Sequence, residues 1–333
     1  MIDFSKARVL VTGGAGFIGS ALVRELNRRG CERIVIADFL ESSEKWRNLA
    51  PLAFEDYLEA DDLIPRMGSS ALGRFDLVLH MGACSATTER NAAFLARNNY
   101  QFTKELASCA LAASSRFVYA SSAATYGNGD AGMSDDASLA NLRSLRPLNM
   151  YGYSKQMFDL YAAQRGLLNK IVGLKFFNVF GPNEGHKGEM RSLVNKAFGQ
   201  IQQTGEIRLF KSYRPDYADG EQKRDFLYVK DAVNMTLHLA AADNTAGLYN
   251  IGSGTANSWL DLANAVFAAL GRPANIRFIE MPDELRSKYQ YFTQADISRL
   301  RSTGYSATVT PLADAVTDYI QNYIVPGRHL GDA

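Results

Sequence analysis

The run GGAGFIG at residues 13–19 constrains the fold of this chain more than any other stretch. Residues 7–13 before it form a short, apolar and β-branched run, which predicts a buried parallel strand. Residues 17–30 after it carry apolar side chains at helical spacing and end in a glycine suited to a helix C-terminus. Such a glycine loop lets the backbone turn tightly and approach a pyrophosphate at the helix N-terminus, through Gly13, Gly16 and Gly19.

Strand and helix patterns alternate through the first half of the chain. Strands are predicted at 33–38, near 56–60, and at 75–83, 116–122 and 170–177, with helices at 90–113 and 150–166. This alternation predicts an α/β fold with a Rossmann-type, doubly wound parallel sheet and helices on both faces. Ligands bind at the carboxyl ends of the strands in such sheets, so the segments of interest are 12–19, 38–45, 81–89, 121–127 and 178–188.

The strict alternation fails after residue 178. Helical patterns at 188–204, 230–242, 258–270 and 310–324 are mixed with short strands at 206–210 and 248–252. This predicts a smaller, interleaved α/β substrate domain. We expect a dinucleotide-binding domain of residues 1–177 with 227–252, and a nucleotide-sugar domain of residues 178–226 with 253–333.

Composition excludes several classes of protein. The 36 basic and 35 acidic residues leave a net charge of +1, so nothing indicates a nucleic-acid partner. Three cysteines without paired spacing indicate neither a disulfide framework nor a metal site. No apolar run approaches about 20 residues and the N-terminus does not resemble a signal peptide, so we expect a cytoplasmic protein without a membrane partner.

The second predicted strand ends at an acidic residue suited to a cofactor ribose. Asp38 lies 19 residues after Gly19 and can accept a hydrogen bond from a ribose 2′-hydroxyl, which is typical of NAD sites. Lys45 and Arg47 follow shortly after and could contact a 2′-phosphate instead, or be surface charges. The residues alone leave NAD and NADP open.

A tyrosine and a lysine four residues apart provide proton-transfer chemistry. If 150–166 is helical, Tyr151 and Lys155 lie on one face, whereas Tyr153 faces elsewhere. The ammonium is expected to lower the pKa of the phenol toward a useful range. Ser121 and Ser122 end a predicted strand at the same edge of the sheet, where a hydroxyl can contact a reacting alcohol or carbonyl.

The motifs TGGAGFIG (12–19), SSAATYG (121–127) and YGYSK (151–155) together resemble the extended short-chain dehydrogenase/reductase family. The resemblance implies a tightly held nicotinamide cofactor and a nucleotide-activated sugar as substrate. It also implies a catalytic triad of Ser122, Tyr151 and Lys155, with Thr125 as the fallback for the serine.

A narrower resemblance is to the epimerases of that family that act on ADP-activated heptose. It extends from residue 9 to about 325, and its most specific run is GPNEGHKG (181–188). The implied reaction oxidises C6 to a transient ketone and returns the hydride on the other face. After the ketone group turns, its oxygen points in a different direction, and a second acid/base, Lys187, would exchange the proton there. Which of Tyr151 and Lys187 removes the proton and which returns it stays open. The alternative for Lys187 is a solvent-facing turn residue, while His186 and His80 are expected to be structural.

The resemblance also implies contacts for both ligands and a homo-oligomer, since family members are pentameric. The implied cofactor contacts, for NADP with NAD as the alternative, are Gly13, Gly16, Phe17, Ile18, Gly19, Asp38, Phe39, Lys45, Met81, Gly82, Ala83, Cys84, Ser85, Asn98 and Lys155. The implied substrate contacts are Asn178, Val179, Glu189, Lys196, Phe210, Lys211, Ser212, Tyr213, Arg224 and Tyr289. Arg224 suits a pyrophosphate, or else pairs with an acid such as Asp225.

Some positions depart from that family pattern, and other functions remain open. Where this chain has Glu189, the pattern has a small hydroxyl residue, and where it has Lys196, the pattern has a histidine. Asparagine is more common in the pattern at the position of Phe39, and the segment that corresponds to 212–225 is shorter. Another nucleotide-sugar epimerase, such as a UDP-hexose 4-epimerase, is the first alternative. A 4,6-dehydratase is disfavoured because SSAATYG lacks an adjacent Asp-Glu pair, and a non-catalytic cofactor-binding regulator is the distant alternative.

Overall fold

The computed structural model describes residues 1–286 and 289–332, and its main feature is a seven-stranded parallel sheet. The order across this sheet is β10-β6-β5-β4-β1-β2-β3. Its strands, in chain order, are β1 (Val9–Thr12), β2 (Ile34–Asp38), β3 (Asp56–Glu59), β4 (Leu77–His80), β5 (Arg116–Ser122), β6 (Val172–Phe176) and β10 (Gly247–Ile251).

Two small sheets complete the strands of the second half. One has the order β11-β9-β7, from β7 (Asn178–Phe180), β9 (Lys223–Tyr228) and β11 (Ala256–Ser258). The other pairs β8 (Ile207–Phe210) in parallel with β12 (Ile276–Ile279). The expected domain division stays a prediction, and its boundary at 226–227 falls inside β9.

Helices cover both faces of the large sheet and surround the small ones. They are α1 (Phe17–Arg28), α2 (Ala60–Gly68), α3 (Ala92–Leu95), α4 (Phe102–Ala112), α5 (Leu139–Ser144), α6 (Met150–Gln164), α7 (Leu193–Thr204), α8 (Val229–Ala241), α9 (Trp259–Ala269), α10 (Asp283–Arg286), α11 (Ser298–Ser302) and α12 (Leu312–Tyr319). No helix in the described part of the chain combines the length and apolar character needed to cross a bilayer.

The alternation of side chains along β1 builds a core on each face of the large sheet. Val9 and Val11 pack into one apolar cluster, and Leu10 packs into the other. All four residues of β1 are buried, as expected for a strand with helices on both sides. The predicted doubly wound α/β fold is confirmed.

The strand order reverses at β1, and this reversal locates the ligand crevice. β1 pairs in parallel with β2 on one side and with β4 on the other. Crevices form outside the carboxyl ends of strands at such a switch point. The strand predicted at 75–83 is shorter than expected, because β4 ends at His80 and the next residues turn into the crevice.

Two predicted helices are interrupted where side chains bind the backbone of neighbouring loops. The helix expected at 90–113 contains a π-helical turn at Ala96–Gln101 between α3 and α4. The helix expected from 188 begins only at α7, where Ser192 is the N-cap, because Gly185–Met190 forms a separate 3₁₀ segment. π-turns of this kind often mark functional sites.

Candidate active site

A cleft of about 800 Å³ opens at the carboxyl ends of β1, β4 and β5 and reaches the small sheets. Many of the residues predicted from the sequence line it together. On the cofactor side they are Gly13, Gly16, Phe17, Ile18, Gly19, Asp38, Lys45, Met81, Gly82, Ala83, Ser85 and Lys155. The others are Ser122, Tyr151, Asn178, Val179, Lys187, Glu189, Lys196, Phe210 and Tyr289.

The glycine loop fits a dinucleotide. Gly13 has φ +67°, and a Cβ there would lie 2.6 Å from the Gly82 backbone nitrogen, so the two loops pack backbone to backbone. Gly16 is the N-cap of α1 and provides no side-chain cap. The first amides of α1 are therefore left for a ligand, and a pyrophosphate is the anion that this cradle suits.

Asp38 and Lys45 form an ion pair at the edge of the cleft. Asp38 Oδ1 accepts from Lys45 Nζ at 2.9 Å, and Asp38 Oδ2 accepts from the Ala15 amide at 2.9 Å. The predicted ribose-binding carboxylate is thus tied directly to the glycine loop. Arg47 instead pairs with Glu44 in solvent, so Lys45 is the cation available to a 2′-substituent.

His80 is a satisfied core histidine, as predicted, and it links two loops of the cleft. Thr103 donates to the Asn99 carbonyl at 2.6 Å and therefore accepts from His80 Nε2 at 2.8 Å. The other ring nitrogen, Nδ1, then accepts from the Thr12 hydroxyl at 2.6 Å, and Thr12 accepts from the Gly82 amide. Burial lowers the pKa of His80 to about 3, which agrees with this neutral ring.

Asn99, which the sequence reading did not assign, holds the loop after β4. Its side chain accepts from the Cys84 amide and donates to the Cys84 carbonyl, both at 2.9 Å. It also donates to Ser154 on α6 at 3.0 Å. The predicted neighbour Asn98 lies outside the cleft lining and donates to Asn99, and Phe39 and Cys84 also lie outside that lining.

Tyr151 and Lys155 lie in the first two turns of α6 and both reach the cleft. Asn149 caps the helix through the Gly152 amide, and a Cβ on Gly152 would lie 2.6 Å from the Ala124 carbonyl. Glycine at 152 thus lets α6 approach the end of β5, where Ser122 lies. Ser122 lies near enough to Tyr151 for its hydroxyl to lower the pKa of the phenol.

The expected lowering of the phenol pKa is wrong for this structure. Burial raises the pKa of Tyr151, and the nearby hydroxyl of Ser122 only partly opposes that effect. Burial also lowers the pKa of Lys155 to about 8, against the attraction of Asp159. For Lys155, desolvation outweighs the attraction of the neighbouring carboxylate because the side chain lies deep in the cleft.

Thr125, the fallback for the serine, lies behind the cleft. It is fully buried, accepts from Lys175 Nζ at 2.7 Å and donates to the Ser122 carbonyl at 2.8 Å. Ser122, in contrast, lines the cleft. The geometry therefore favours Ser122 over Thr125 as the hydroxyl that meets a ligand.

Lys187 reaches into the cleft rather than into open solvent. Its Nζ lies 5.3 Å from the centre of the Phe17 ring, at the start of α1. Burial lowers the pKa of Lys187, and Glu184 opposes the shift. Gly188 has φ +54°, a left-handed backbone conformation that lets the chain turn back after the lysine.

Buried side chains anchor the segment that carries Lys187. The Glu184 carboxylate accepts from both the amide and the hydroxyl of Ser192 at 2.6 Å, which joins the two ends of the segment. Asn183 donates to Ser20 on α1 at 2.9 Å. The buried Asn48 donates to the Ala15 and Asn183 carbonyls and to His186, so it links this segment to the glycine loop.

The far end of the cleft is aromatic and basic. Phe210 and Tyr289 line it, with ring centres 6.4 Å apart, and Lys196 donates to the Glu189 carbonyl at 3.2 Å. Further residues that line this end were not predicted from the sequence, because only the folded chain brings them there. They are Arg191, Gln200, Arg208 and Trp259.

Arg224 and the segment after Phe210 lie outside the lining. Arg224 is buried behind the aromatic end, 5.2 Å from the Tyr289 ring centre, and donates to the carbonyls of Lys223 and Gln290. Among the described residues it forms no ion pair, so the expected alternative of a carboxylate partner is not observed. Three other predicted contacts are also absent from the lining and donate to carboxylates of Glu280 or Asp219: Lys211, Ser212 and Tyr213.

Comparison with protein families and curated proteins gives one consistent result. Residues 9–252 match the model of the "NAD dependent epimerase/dehydratase family". The chain is 51% identical over 316 residues to the ADP-L-glycero-D-manno-heptose-6-epimerase of Nitratidesulfovibrio vulgaris (strain DP4), which covers 95% of this chain and 97% of that protein. It is 44% identical to the enzyme of that name from Fusobacterium nucleatum, over 95% and 98% of the two chains.

Solved structures agree with this similarity. The crystal structure of the Helicobacter pylori ADP-L-glycero-D-manno-heptose-6-epimerase superposes with a TM-score of 0.80 at 27% identity, over 96% of this chain and 97% of that one. The UDP-N-acetylglucosamine 4-epimerase of Methanobrevibacter ruminantium superposes with a TM-score of 0.81 at 22% identity, over 96% and 99%. The second likeness concerns the fold alone.

Proposed function

This chain belongs to the NAD-dependent epimerase/dehydratase family, and from that membership we propose that it converts ADP-D-glycero-D-manno-heptose to ADP-L-glycero-D-manno-heptose at C6, a step toward the lipopolysaccharide inner core. The observation that carries the proposal is the position of Lys187. It lies in the same cleft as Tyr151 and the glycine loop, although separate elements carry the three. Full-length relatives at 51% and 44% identity bear the name of this activity.

The residues present fit a nicotinamide cofactor. The glycine loop and the first amides of α1 would hold its pyrophosphate, and Asp38 with Lys45 would hold the adenosine ribose. A nicotinamide bound there would supply reversible hydride transfer at C6 of the sugar. The remaining work, which falls to the side chains of this chain, is proton transfer at the C6 oxygen and orientation of the sugar.

Tyr151 is the proton-handling group on the α6 side of the cleft. Its phenol and the Ser122 hydroxyl line the same part of the cleft, where Ser122 can hold the C6 oxygen while Tyr151 handles its proton. Lys155 lies one helical turn further along α6 and supplies positive charge beside the phenol. Burial raises the pKa of Tyr151, and in the proposed mechanism the ammonium favours the phenolate against that effect.

Lys187 is the proton-handling group on the side of the loop after β7. When the ketone group turns to present its other face, the oxygen points away from Tyr151, and a second acid/base becomes useful there. Burial lowers the pKa of Lys187, which favours proton exchange by an amine that would otherwise stay charged. Tyr151 and Lys187 each handle the proton of one of the two C6 configurations.

NADP is the cofactor we propose, with NAD as the alternative. Lys45 is largely buried beside Asp38, and the pair has no net charge. A 2′-phosphate would meet the ammonium there, whereas Asp38 alone would repel it. Analysis of the nucleotide released on denaturation distinguishes the two cofactors.

The far end of the cleft is the proposed ADP subsite. Phe210 and Tyr289 offer aromatic faces for a base, and Lys196 and Arg208 offer charge for a diphosphate. Arg224 would act from behind by holding Tyr289 in place. Glu189 and Lys196, which differ from the family pattern, lie in this subsite. The identity of the nucleobase and of the sugar therefore needs a test of its own, separate from the test of the redox chemistry.

A panel of nucleotide sugars tests the function. Purified protein is incubated with ADP-D-glycero-D-manno-heptose, UDP-galactose and UDP-glucose, and proton NMR follows the signals of C6 and C4. Inversion at C6 of the heptose alone supports the proposal. Inversion at C4 of a UDP-hexose would favour the alternative 4-epimerase, and binding of cofactor without any turnover would favour a regulator. The expected homo-oligomer stays a prediction that light scattering after size exclusion tests.

A further inference from the structure

An ion pair that the proposed reaction does not use lies behind Tyr151 and Lys155. Lys175 Nζ is 2.9 Å from Asp159 Oδ2, and the two side chains are 1% and 0% exposed. Lys175 interrupts β6, whose other residues are apolar or glycine and which lies between β10 and β5 in the large sheet. Removing two charges from water is costly, so a pair at this place needs a reason beyond stability.

The hydrogen bonds of Asp159 fix its carboxylate in one position. Besides the bond from Lys175, Oδ2 accepts from Ser121 at 2.8 Å and Oδ1 accepts from Tyr119 at 2.8 Å. Tyr119 and Ser121 belong to β5, the strand that ends at Ser122. Three donors therefore hold the carboxylate between α6 and the sheet, and leave it little freedom to rotate toward any other group.

Asp159 also faces the lysine of the site. It follows Lys155 by four residues on α6, the spacing that places two side chains on one helical face. Among the described residues, no hydrogen bond or ion pair engages Lys155 Nζ directly. Asp159 is the main group that opposes the effect of burial on the pKa of Lys155.

We propose that Asp159 is a positioning residue for the Tyr151–Lys155 pair, and that Lys175 holds its carboxylate in place. Asp159 acts on Lys155 across one helical turn, without touching the substrate or the cofactor. Lys175 prevents the carboxylate from swinging into direct contact with Lys155, which would draw the ammonium away from the cleft. The role in turnover rests on the proposed function, whereas the effect on Lys155 itself does not.

Several titratable groups surround this assembly and belong in any account of its pH dependence. Those that act on Lys155 or feel its charge are Asp159, Cys84 and His80. Those that face Asp159 are Lys175, Tyr119 and Tyr126, the last with its ring centre 4.8 Å from Lys175 Nζ. His80 is neutral through its two threonine contacts, so Asp159 is the main anion in this set.

The test measures the titration of Lys155 in the protein as purified, with its cofactor. Protein labelled with ¹³C-lysine gives a Cε signal for Lys155, which Lys155→Arg identifies by its loss. In Asp159→Asn the titration midpoint should fall by roughly one pH unit or more, because the attraction is lost and Lys175 is left unpaired. Asp231→Asn removes a buried carboxylate on α8, away from this site, and should leave the midpoint unchanged.

A second variant covers the case in which Asp159→Asn does not fold. Asp159→Asn with Lys175→Met removes both charges together and leaves no lone charge buried, so it is expected to fold. Its midpoint should fall as well, but by less than in the single variant. Midpoints equal to that of the wild type in both variants would overturn the proposal, as would lost turnover without a shift.

Turnover provides the second readout and separates the two claims. If the wild type inverts C6, the alkaline limb of its pH–rate profile should move to lower pH in Asp159→Asn, in step with the NMR midpoint. If the wild type turns over no nucleotide sugar, the proposed function fails. The NMR titration still decides the role of Asp159 in that case.

Discussion

Lys187 Nζ lies 5.3 Å from the centre of the Phe17 ring, so the lysine segment contacts the first residue of the helix that follows the glycine loop. This contact joins the two halves of the site. Phe17 belongs to the proposed cofactor cradle, while Lys187 comes from the chain after β7. An amine placed there can act on a sugar carbon beside the cradle, from an element other than the one that carries Tyr151.

Replacing Lys187 should abolish epimerisation while the cofactor stays bound. Lys187→Ala is expected to lower the rate of C6 inversion by roughly 10²- to 10⁴-fold, the usual contribution of a general acid or base. Lys187→Arg should lose a similar factor, because a guanidinium keeps the charge but cannot release a proton. The matched control is Lys170→Met at an exposed position, and NMR assays of the heptose give the rates. Unchanged turnover in Lys187→Ala would remove this residue from the mechanism.

Two tyrosines on α6, Tyr151 and Tyr153, allow a matched test of the acid/base group on the α6 side of the cleft. Tyr151→Phe should lower turnover by roughly 10²- to 10⁴-fold, since the phenolic proton is lost while the ring remains. Tyr153→Phe lies two residues further, is 48% exposed, and should change little. Equal losses in the two variants, measured at saturating substrate, would argue against a specific role of Tyr151.

Turnover should decline on the alkaline side near the pKa of Lys155. Burial lowers that pKa to about 8, and the ammonium form is the one that favours proton loss from Tyr151. The rate is therefore expected to fall as pH rises through about 8. Lys155→Arg keeps its charge and should move this limb to higher pH, although with a lower maximum. A pH–rate profile from pH 6 to 10 measures the position of the alkaline limb and the maximum rate. If the limb does not move in Lys155→Arg, a group other than Lys155 causes it.

The buried histidines should make the fold sensitive to acid. Burial lowers the pKa of His186 to about 4 and that of His80 to about 3, whereas both titrate near 6.5 when unfolded. Between these values the unfolded chain binds more protons, so the free energy of unfolding falls as pH falls from about 6.5 toward 4. Urea unfolding at several pH values measures the slope. His186→Gln should flatten it by about one proton, and an unchanged slope would contradict the burial of the ring.

Lys45 should determine the preference for NADP. Lys45→Ala is expected to weaken NADP binding roughly tenfold or more, the size of one charge-assisted hydrogen bond to a phosphate. NAD binding should change little. Arg47→Ala is the control, because Arg47 pairs with Glu44 at the surface. Calorimetry with both nucleotides gives the ratio, and a parallel loss for NAD would show that Lys45 supports the ribose rather than a phosphate.

The parts of the site that follow from local sequence were predictable. The glycine loop, Asp38 at the end of β2 and the Tyr151–Lys155 spacing depend on neighbouring residues, so the pattern was sufficient to place them in one cleft. His80 was also predicted to be structural, because an isolated histidine inside an apolar strand is usually satisfied within the core.

Features that depend on long-range contacts were not predictable. The Asp159–Lys175 pair joins a helix to a strand across the core, and neither segment alone shows that the two residues meet. The pKa of Tyr151 was expected to fall because the neighbouring lysine is visible in the sequence, whereas the burial that raises it is not. Arg224 has the chemistry of a phosphate ligand, but its position behind Tyr289 is set by the packing of β9.

The fate of the hydrogen on C6 is the most direct test of oxidation followed by return of the hydride. ADP-D-glycero-D-manno-heptose carrying deuterium at C6 is incubated with the wild-type protein in ordinary water, and the product is analysed by NMR and mass spectrometry. We predict ADP-L-glycero-D-manno-heptose that retains the deuterium at C6. Product with hydrogen from solvent at C6, or no inversion at all, would contradict the reaction proposed for this cleft.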